Sequence, residues 1–67
     1  MKKITKGKRY YWYPILLGFA NIPQGKLLSG LFTGEYDKNN NAIFLTKRGE
    51  VWSIPEKYVL ERNQVHE

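Results

Sequence analysis

The spacing of glycine and proline is the feature that most limits how this chain can fold. The six glycines and three prolines in its 67 residues interrupt every stretch long enough for a regular helix, except 35–48 and the C-terminal tail. The first of these two stretches contains Asn39-Asn40-Asn41, a turn signal that divides it. β-Branched and aromatic residues dominate the segments between the breakers. The sequence therefore predicts an all-β protein.

The turn signals divide the chain into five predicted strands. Pro14 lies inside the first strand and predicts an edge position or a bulge there. Gly30 and Gly34 lie inside the second strand and are typical of a sharp bend or a close backbone approach. Asp37 to Asn41 predicts a hairpin turn. The predicted strands are 8–17, 26–36, 42–46, 50–54 and 59–62, with a loop at 18–25, a turn at 47–49 and a 3₁₀ turn at 55–58.

One segment of the chain is similar to a known type of domain. The run Gly49-Glu50-Val51-Trp52-Ser53-Ile54-Pro55-Glu56-Lys57-Tyr58-Val59 resembles the closing part of Src-homology-3-type domains. In that family an apolar strand ends in an aliphatic residue and proline, and a one-turn helix with Tyr and Val follows. The resemblance and the order of elements imply a single small five-stranded Src-homology-3-like barrel with a short 3₁₀ turn before the last strand.

The positive charge of the chain is concentrated at its N-terminus. The net charge is +5, and the first nine residues hold five Lys or Arg and no acid. Tyr10 to Glu67 holds six basic and six acidic residues and is neutral overall. We therefore expect three parts: a flexible basic arm at 1–9, the small barrel at 10–62 and a frayed C-terminal tail at 63–67.

Basic residues beside aromatic ones predict contact with nucleic acid. Four aromatic residues, Tyr10-Tyr11-Trp12-Tyr13, directly follow the basic arm, and alternation along a strand sends two of them to each face. Lysine and arginine neutralise phosphates, while bases stack on exposed rings. The leading hypothesis is a binding module for DNA, RNA or a nucleoprotein complex. The predicted contact residues are Lys3, Lys6, Lys8, Arg9, Tyr11 and Tyr13, with Lys47 and Arg48 at a hairpin tip as a second phosphate contact.

The same aromatic residues allow a second hypothesis, a protein-binding module. Peptide-binding relatives of the resembled family use the Pro and Tyr of the 3₁₀ turn and an aromatic pair in the first strand. Pro55 and Tyr58 match the former, and Tyr11 or Tyr13 stands for the latter. The third strand, Ala42-Ile43-Phe44, lacks the family's tryptophan. The partner would be a host protein bound by a phage- or plasmid-encoded modulator, through Tyr11, Tyr13, Trp52, Pro55 and Tyr58.

The residues needed for several other functions are missing from the sequence. The chain has no cysteine and one histidine, His66, near the terminus, so no catalytic group, metal site or cofactor is predicted. Its glycine spacing fits no phosphate-binding loop. No stretch is long and apolar enough for a membrane span or a signal peptide. We expect a non-enzymatic cytoplasmic protein with no membrane association, and the aromatic content leaves a homodimer open.

Overall fold

The fold is a small antiparallel β-sheet with short 3₁₀ turns. The computed structural model describes residues 3–18 and 25–65. Within these ranges, four strands form one sheet in the order β1-β2-β3-β4, which confirms the all-β prediction. The elements are β1 (Arg9–Trp12), a 3₁₀ turn (Pro14–Leu17), β2 (Leu28–Tyr36), β3 (Ala42–Leu45), β4 (Val51–Ile54) and two further 3₁₀ turns (Glu56–Tyr58 and Arg62–Gln64).

The first strand is shorter than the sequence predicts. β1 ends at Trp12, and Pro14–Leu17 forms a 3₁₀ turn, so the predicted strand 8–17 is wrong beyond its first half. Proline lacks an amide hydrogen and has a helix-compatible φ, which favours it at the first position of a helical turn. The turn ends at Gly18, which has a φ of 91°. The predicted loop at 18–25 lies largely outside the described residues, because 19–24 are among those the structure leaves undescribed.

Both glycines of β2 have the roles predicted for them. A Cβ atom at Gly30 would lie 3.0 Å from Cη2 of Trp12 and 3.0 Å from the carbonyl oxygen of Leu45, so glycine permits a close backbone approach there. Gly34 has a φ of 90° and lies where the pairing of β2 with β3 shifts register. The strand bends at this bulge.

The turns between the later strands also follow the prediction. The Asp37 side chain accepts hydrogen bonds from the backbone amides of Asn39 and Asn41 at 2.8 and 2.9 Å, and Asn40 has a φ of 64°. Gly49, with a φ of 83°, completes the turn between β3 and β4. Local side-chain chemistry therefore fixes both turns.

The predicted fifth strand is reduced to a single bridge. The backbone amide and carbonyl of Leu60 pair with those of Tyr11 at 2.8 and 2.9 Å, on the edge of β1 away from β2. Glu61 and Gln64 then form a capping box that starts the 3₁₀ turn Arg62–Gln64, and this turn ends the extended segment. Five strands and a closed barrel are therefore not confirmed. The predicted tail 63–67 begins inside this turn, and its last two residues are outside the described range.

The core is aromatic and centres on Phe44. The rings of Trp12 and Tyr10 lie 5.2 and 6.0 Å from that of Phe44, and Phe32 lies 5.6 Å away. These four side chains share the inner face of the sheet. The hydrophobic core cluster consists of Tyr10, Trp12, Phe32, Ala42, Phe44, Ile54 and Val59.

Candidate nucleic-acid interface

The inner face of β1 is filled by Tyr10 and Trp12, so its outer face carries the other aromatic residues. Tyr10 and Trp12 are 1% and 0% exposed, whereas Tyr11 and Tyr13 are half-buried. Alternation in the sequence does not say which of the two aromatic pairs faces the core, whereas the structure shows that it is Tyr10 and Trp12. The residues predicted to stack, Tyr11 and Tyr13, are therefore the pair that solvent reaches.

The pairing of Leu60 with Tyr11 creates a cleft of about 420 Å³ beside β1. One wall comes from β1 and the residue before it, and the other comes from the segment after Leu60. Three cationic side chains, one carboxylate, one aromatic ring and one amide line the cleft. They are Lys8, Arg9, Tyr11, Glu61, Arg62 and Asn63.

Contacts within the cleft hold its charged groups close to the tyrosine ring. The guanidinium of Arg62 lies 6.0 Å from the ring centre of Tyr11, within the range of a cation–π interaction. Arg9 donates a hydrogen bond of 3.3 Å to the hydroxyl of Ser29, the residue opposite Tyr11 in β2. The cleft thus combines an aromatic surface with positive charge, the two components of a single-strand binding groove.

Lys8 and Glu61 form an ion pair at the mouth of this cleft. Nζ of Lys8 lies 3.0 Å from Oε1 of Glu61, and the two side chains are 54% and 43% exposed. The hydrogen bond to Glu61, followed by the charge of that carboxylate, holds the pKa of Lys8 above its usual value of 10.5. Lys8 is therefore a cation at neutral pH. The pair partly cancels the positive charge of the cleft.

The structure brings together only part of the predicted nucleic-acid site. Lys8, Arg9 and Tyr11 line the cleft. Lys3 is exposed and outside it, and the aliphatic stem of Lys6 lies against Gly34, towards the other end of β2. Tyr13 lies outside the cleft too, as the residue before the turn Pro14–Leu17.

The second predicted phosphate contact is adjacent to the cleft. Lys47 and Arg48 are exposed at the turn between β3 and β4. They line a separate depression of about 270 Å³ that also includes Ser29, the residue to which Arg9 donates. Ser29 therefore lies between the cleft and the hairpin tip, on the outer face of the sheet.

Three residues of the cleft, Glu61, Arg62 and Asn63, are absent from the predicted contact residues. They belong to the part of the chain that is neutral overall, far from the basic arm in sequence. They lie beside β1 because Leu60 pairs with Tyr11. The order of elements in the resembled barrel, in which the last strand lies beside the first, was the signal that pointed to this neighbourhood.

The residues of the alternative protein-binding site are divided between different surfaces. Trp52 and Pro55 line an apolar cleft of about 540 Å³ together with Leu17 and Val51. Trp52 is half-buried and packs against the core, with its ring 6.0 Å from that of Trp12. Two of the predicted residues, Tyr13 and Tyr58, are outside this cleft, and Tyr58 is half-buried against the core. Tyr11 lines the basic cleft beside β1 instead.

The residues of the arm that the structure describes lie against the sheet. Ile4 packs against the core, and the amide of Thr5 donates to the hydroxyl of Tyr10 at 2.8 Å. The amide of Gly7 donates to the carbonyl of Phe32 at 2.8 Å, and Lys8 accepts from the amide of Phe32 at 3.1 Å. These contacts fix Lys8 and Arg9 relative to the cleft.

The described residues contain neither a metal-binding cluster of side chains nor a membrane-spanning helix. Among residues 3–18 and 25–65, no three Asp, Glu or His side chains lie close enough together to hold a metal ion. No helix in the same ranges is long and apolar enough to cross a membrane.

Comparison of the chain with known protein families, with curated proteins and with solved structures finds no significant match. The class of the protein is therefore defined by its fold and surface alone. It is a small four-stranded antiparallel β-protein with a basic, aromatic cleft beside its first strand.

Proposed function

We propose that this protein is a non-enzymatic cytoplasmic binding module that contacts nucleic acid, or a nucleoprotein complex, through the cleft beside β1. The observation that carries the proposal is that Lys8, Arg9 and Arg62 line one cleft together with Tyr11, with the guanidinium of Arg62 6.0 Å from the centre of the Tyr11 ring. The fold that we propose for it is the five-stranded Src-homology-3-like barrel. The pairing of Leu60 with Tyr11 supports that fold, since it sets the last segment beside the first strand.

The ligand that fits the cleft best is a single strand. Stacking on Tyr11 requires a base whose face is not already covered by its neighbours in a duplex. The cations around the ring then hold the adjoining phosphates. Lys47 and Arg48 share a depression with Ser29, the residue to which Arg9 donates, and would extend the path along which a backbone runs.

The test is a titration of labelled single-stranded DNA, single-stranded RNA and duplex DNA, followed by fluorescence anisotropy at two salt concentrations. We expect binding to single strands that weakens as salt rises, because each neutralised phosphate contributes about −0.7 to the slope of log K against log salt. The absence of binding to every nucleic acid at low salt would overturn the proposal.

A matched pair of variants separates the cleft from net charge. The double variant Lys8→Gln/Arg9→Gln removes two cations from the cleft, and Lys26→Gln/Lys38→Gln removes two exposed cations outside it. Both reach the same net charge. We expect the first variant to lower the salt slope by about 1.4, the sum of two phosphate contacts, and the second to keep it. Equal losses in the two variants would mean that only overall charge matters.

A protein partner is the second candidate function, and the cleft at β4 favours it. Val51 is 67% exposed, and it lines a cleft of about 540 Å³ with three other largely apolar residues, Leu17, Trp52 and Pro55, and with the polar Asn41 and Ser53. Such a site suits a host protein bound by a phage- or plasmid-encoded modulator. Binding there would respond little to salt, and Val51→Lys would abolish it while leaving nucleic-acid binding in place.

A further inference from the structure

The carboxylate of Glu61 occupies the position in the cleft where a ligand phosphate would meet Lys8. It accepts a hydrogen bond of 3.0 Å from Nζ of Lys8. Carboxylate and phosphate oxygens are both anionic acceptors, and lysine pairs with either as a point charge. Because both side chains are about half exposed, a ligand in the cleft reaches this pair directly.

The chain around Glu61 fixes the position of its carboxylate. The backbone of Leu60 pairs with that of Tyr11, so the next residue, Glu61, starts from a fixed position beside β1. The backbone amide of Glu61 donates to Oε1 of Gln64 at 2.8 Å, and the Glu61 side chain accepts from the backbone amide of Gln64 in return. Glu61 is therefore held beside Lys8 by its own turn, independently of any ligand.

We propose that Glu61 is an internal competitor of the ligand phosphate, so that nucleic acid binds the cleft only by displacing its carboxylate from Lys8. This inference rests on the proposed function. It implies that the wild-type protein binds nucleic acid less tightly than it would if Lys8 had no carboxylate partner. It also implies that the loss of Glu61 strengthens binding, through Lys8.

One consequence follows for a Glu61→Gln variant. An exposed ion pair contributes little, so its removal tightens binding by about two- to fivefold at low salt. The salt slope stays close to that of the wild type, since Lys8 neutralises one phosphate in both proteins. The loss of one carboxylate elsewhere on the surface does not produce a gain of this size.

The experiment measures the affinity of a labelled oligothymidine for the full chain and its variants across a salt series. Glu35→Gln is the control for net charge, because Glu35 is exposed at the opposite end of β2, about 13 Å along the strand from the residue that pairs with Arg9. Gln64→Ala is the control for the turn, because it weakens the capping box and keeps the carboxylate. Lys8→Gln/Glu61→Gln tests whether the gain depends on Lys8.

We expect Glu61→Gln alone to bind more tightly, with an unchanged salt slope, and the double variant with Lys8→Gln to lose the gain. Equal affinities for Glu61→Gln and Glu35→Gln, with salt-sensitive binding retained, would overturn the competitor and leave the proposed function standing. A gain that persists without Lys8, or that Gln64→Ala reproduces, would overturn it too. Absence of binding by the wild type and by Glu61→Gln would overturn both the inference and the proposed function.

Discussion

Gly30 and Trp12 are packed so closely that a methyl group on Gly30 would press against the tryptophan ring. A Cβ atom on Gly30 would lie 3.0 Å from Cη2 of the Trp12 ring and as close to the backbone oxygen of Leu45. The ring is fully buried and is held between Phe44 and Trp52. The glycine thus lets the largest core side chain lie directly on the backbone of β2.

We predict that Gly30→Ala destabilises the protein by about 1–3 kcal/mol, the usual effect of overpacking a core. The φ angle of Gly30 is not positive, so the penalty comes from the contact and not from the backbone conformation. Urea unfolding measures it. In a double-mutant cycle, Trp12→Phe removes the Cη2 atom and should reduce the cost of Gly30→Ala. If the destabilisations of Gly30→Ala and Trp12→Phe simply add in the double variant, the methyl group clashes with the backbone oxygen of Leu45 and not with the Trp12 ring.

Acid should weaken the turn between β2 and β3. Hydrogen bonds from backbone amides, that of Asn41 first, hold the pKa of Asp37 below its ordinary value of 3.8. A folded pKa below the unfolded one means that the contribution to stability is present above the unfolded pKa. It is lost as the pH falls through the folded pKa.

The corresponding variant is Asp37→Asn, which keeps an acceptor oxygen and removes the charge. We expect it to be less stable than the wild type at neutral pH, with the difference shrinking as the pH falls below 3.8. Thermal unfolding across a pH series checks this. Glu35→Gln, which removes a nearby exposed carboxylate outside the turn, serves as the control. A constant gap between Asp37→Asn and the wild type at every pH would contradict the assignment.

The elements that the sequence predicts correctly are those with local causes. Asp37, Asn40 and Gly49 specify their turns through their own side chains and φ angles, so the hairpins from β2 to β4 follow from neighbouring residues. Pro14 is ambiguous because proline fits both a strand edge and the start of a helical turn. Only the packing of the chain around it decides between the two.

The candidate site is less predictable, because its two walls are distant in sequence. Lys8 and Glu61 meet only through the pairing of Leu60 with Tyr11, and no local pattern marks Glu61 as a partner of a lysine. Periodicity likewise separates Tyr11 from Tyr10 without showing which one is buried. Residues that meet only through tertiary contacts cannot be predicted as neighbours without the fold, whereas the positive charge can be read from the composition.

The described part of the basic arm contributes to the stability of the fold. Ile4 packs against the core, so removing residues 1–9 removes apolar contacts along with charge. We predict that Ile4→Ala destabilises the protein by about 1–2 kcal/mol, less than at a fully buried site because Ile4 is only half-buried. Lys3→Gln should have almost no effect on unfolding. If Ile4→Ala is equally neutral, the arm does not pack on the sheet in solution.

The ring of Tyr11 provides the most direct test of stacking in the cleft. Its backbone pairs with Leu60, which phenylalanine or leucine at this position also permits, and its ring faces Arg62 at 6.0 Å. We predict that Tyr11→Phe binds an oligothymidine as the wild type does, because it keeps the aromatic face. Tyr11→Leu should lose about 1–3 kcal/mol of binding energy, the contribution of one stacked base. The salt slope should stay the same in both variants, because neither changes a phosphate contact.

Two outcomes would contradict stacking on Tyr11. A loss of affinity with Tyr11→Phe equal to that with Tyr11→Leu would assign the effect to the hydroxyl group. Unchanged affinity in both variants would leave electrostatics as the only source of binding.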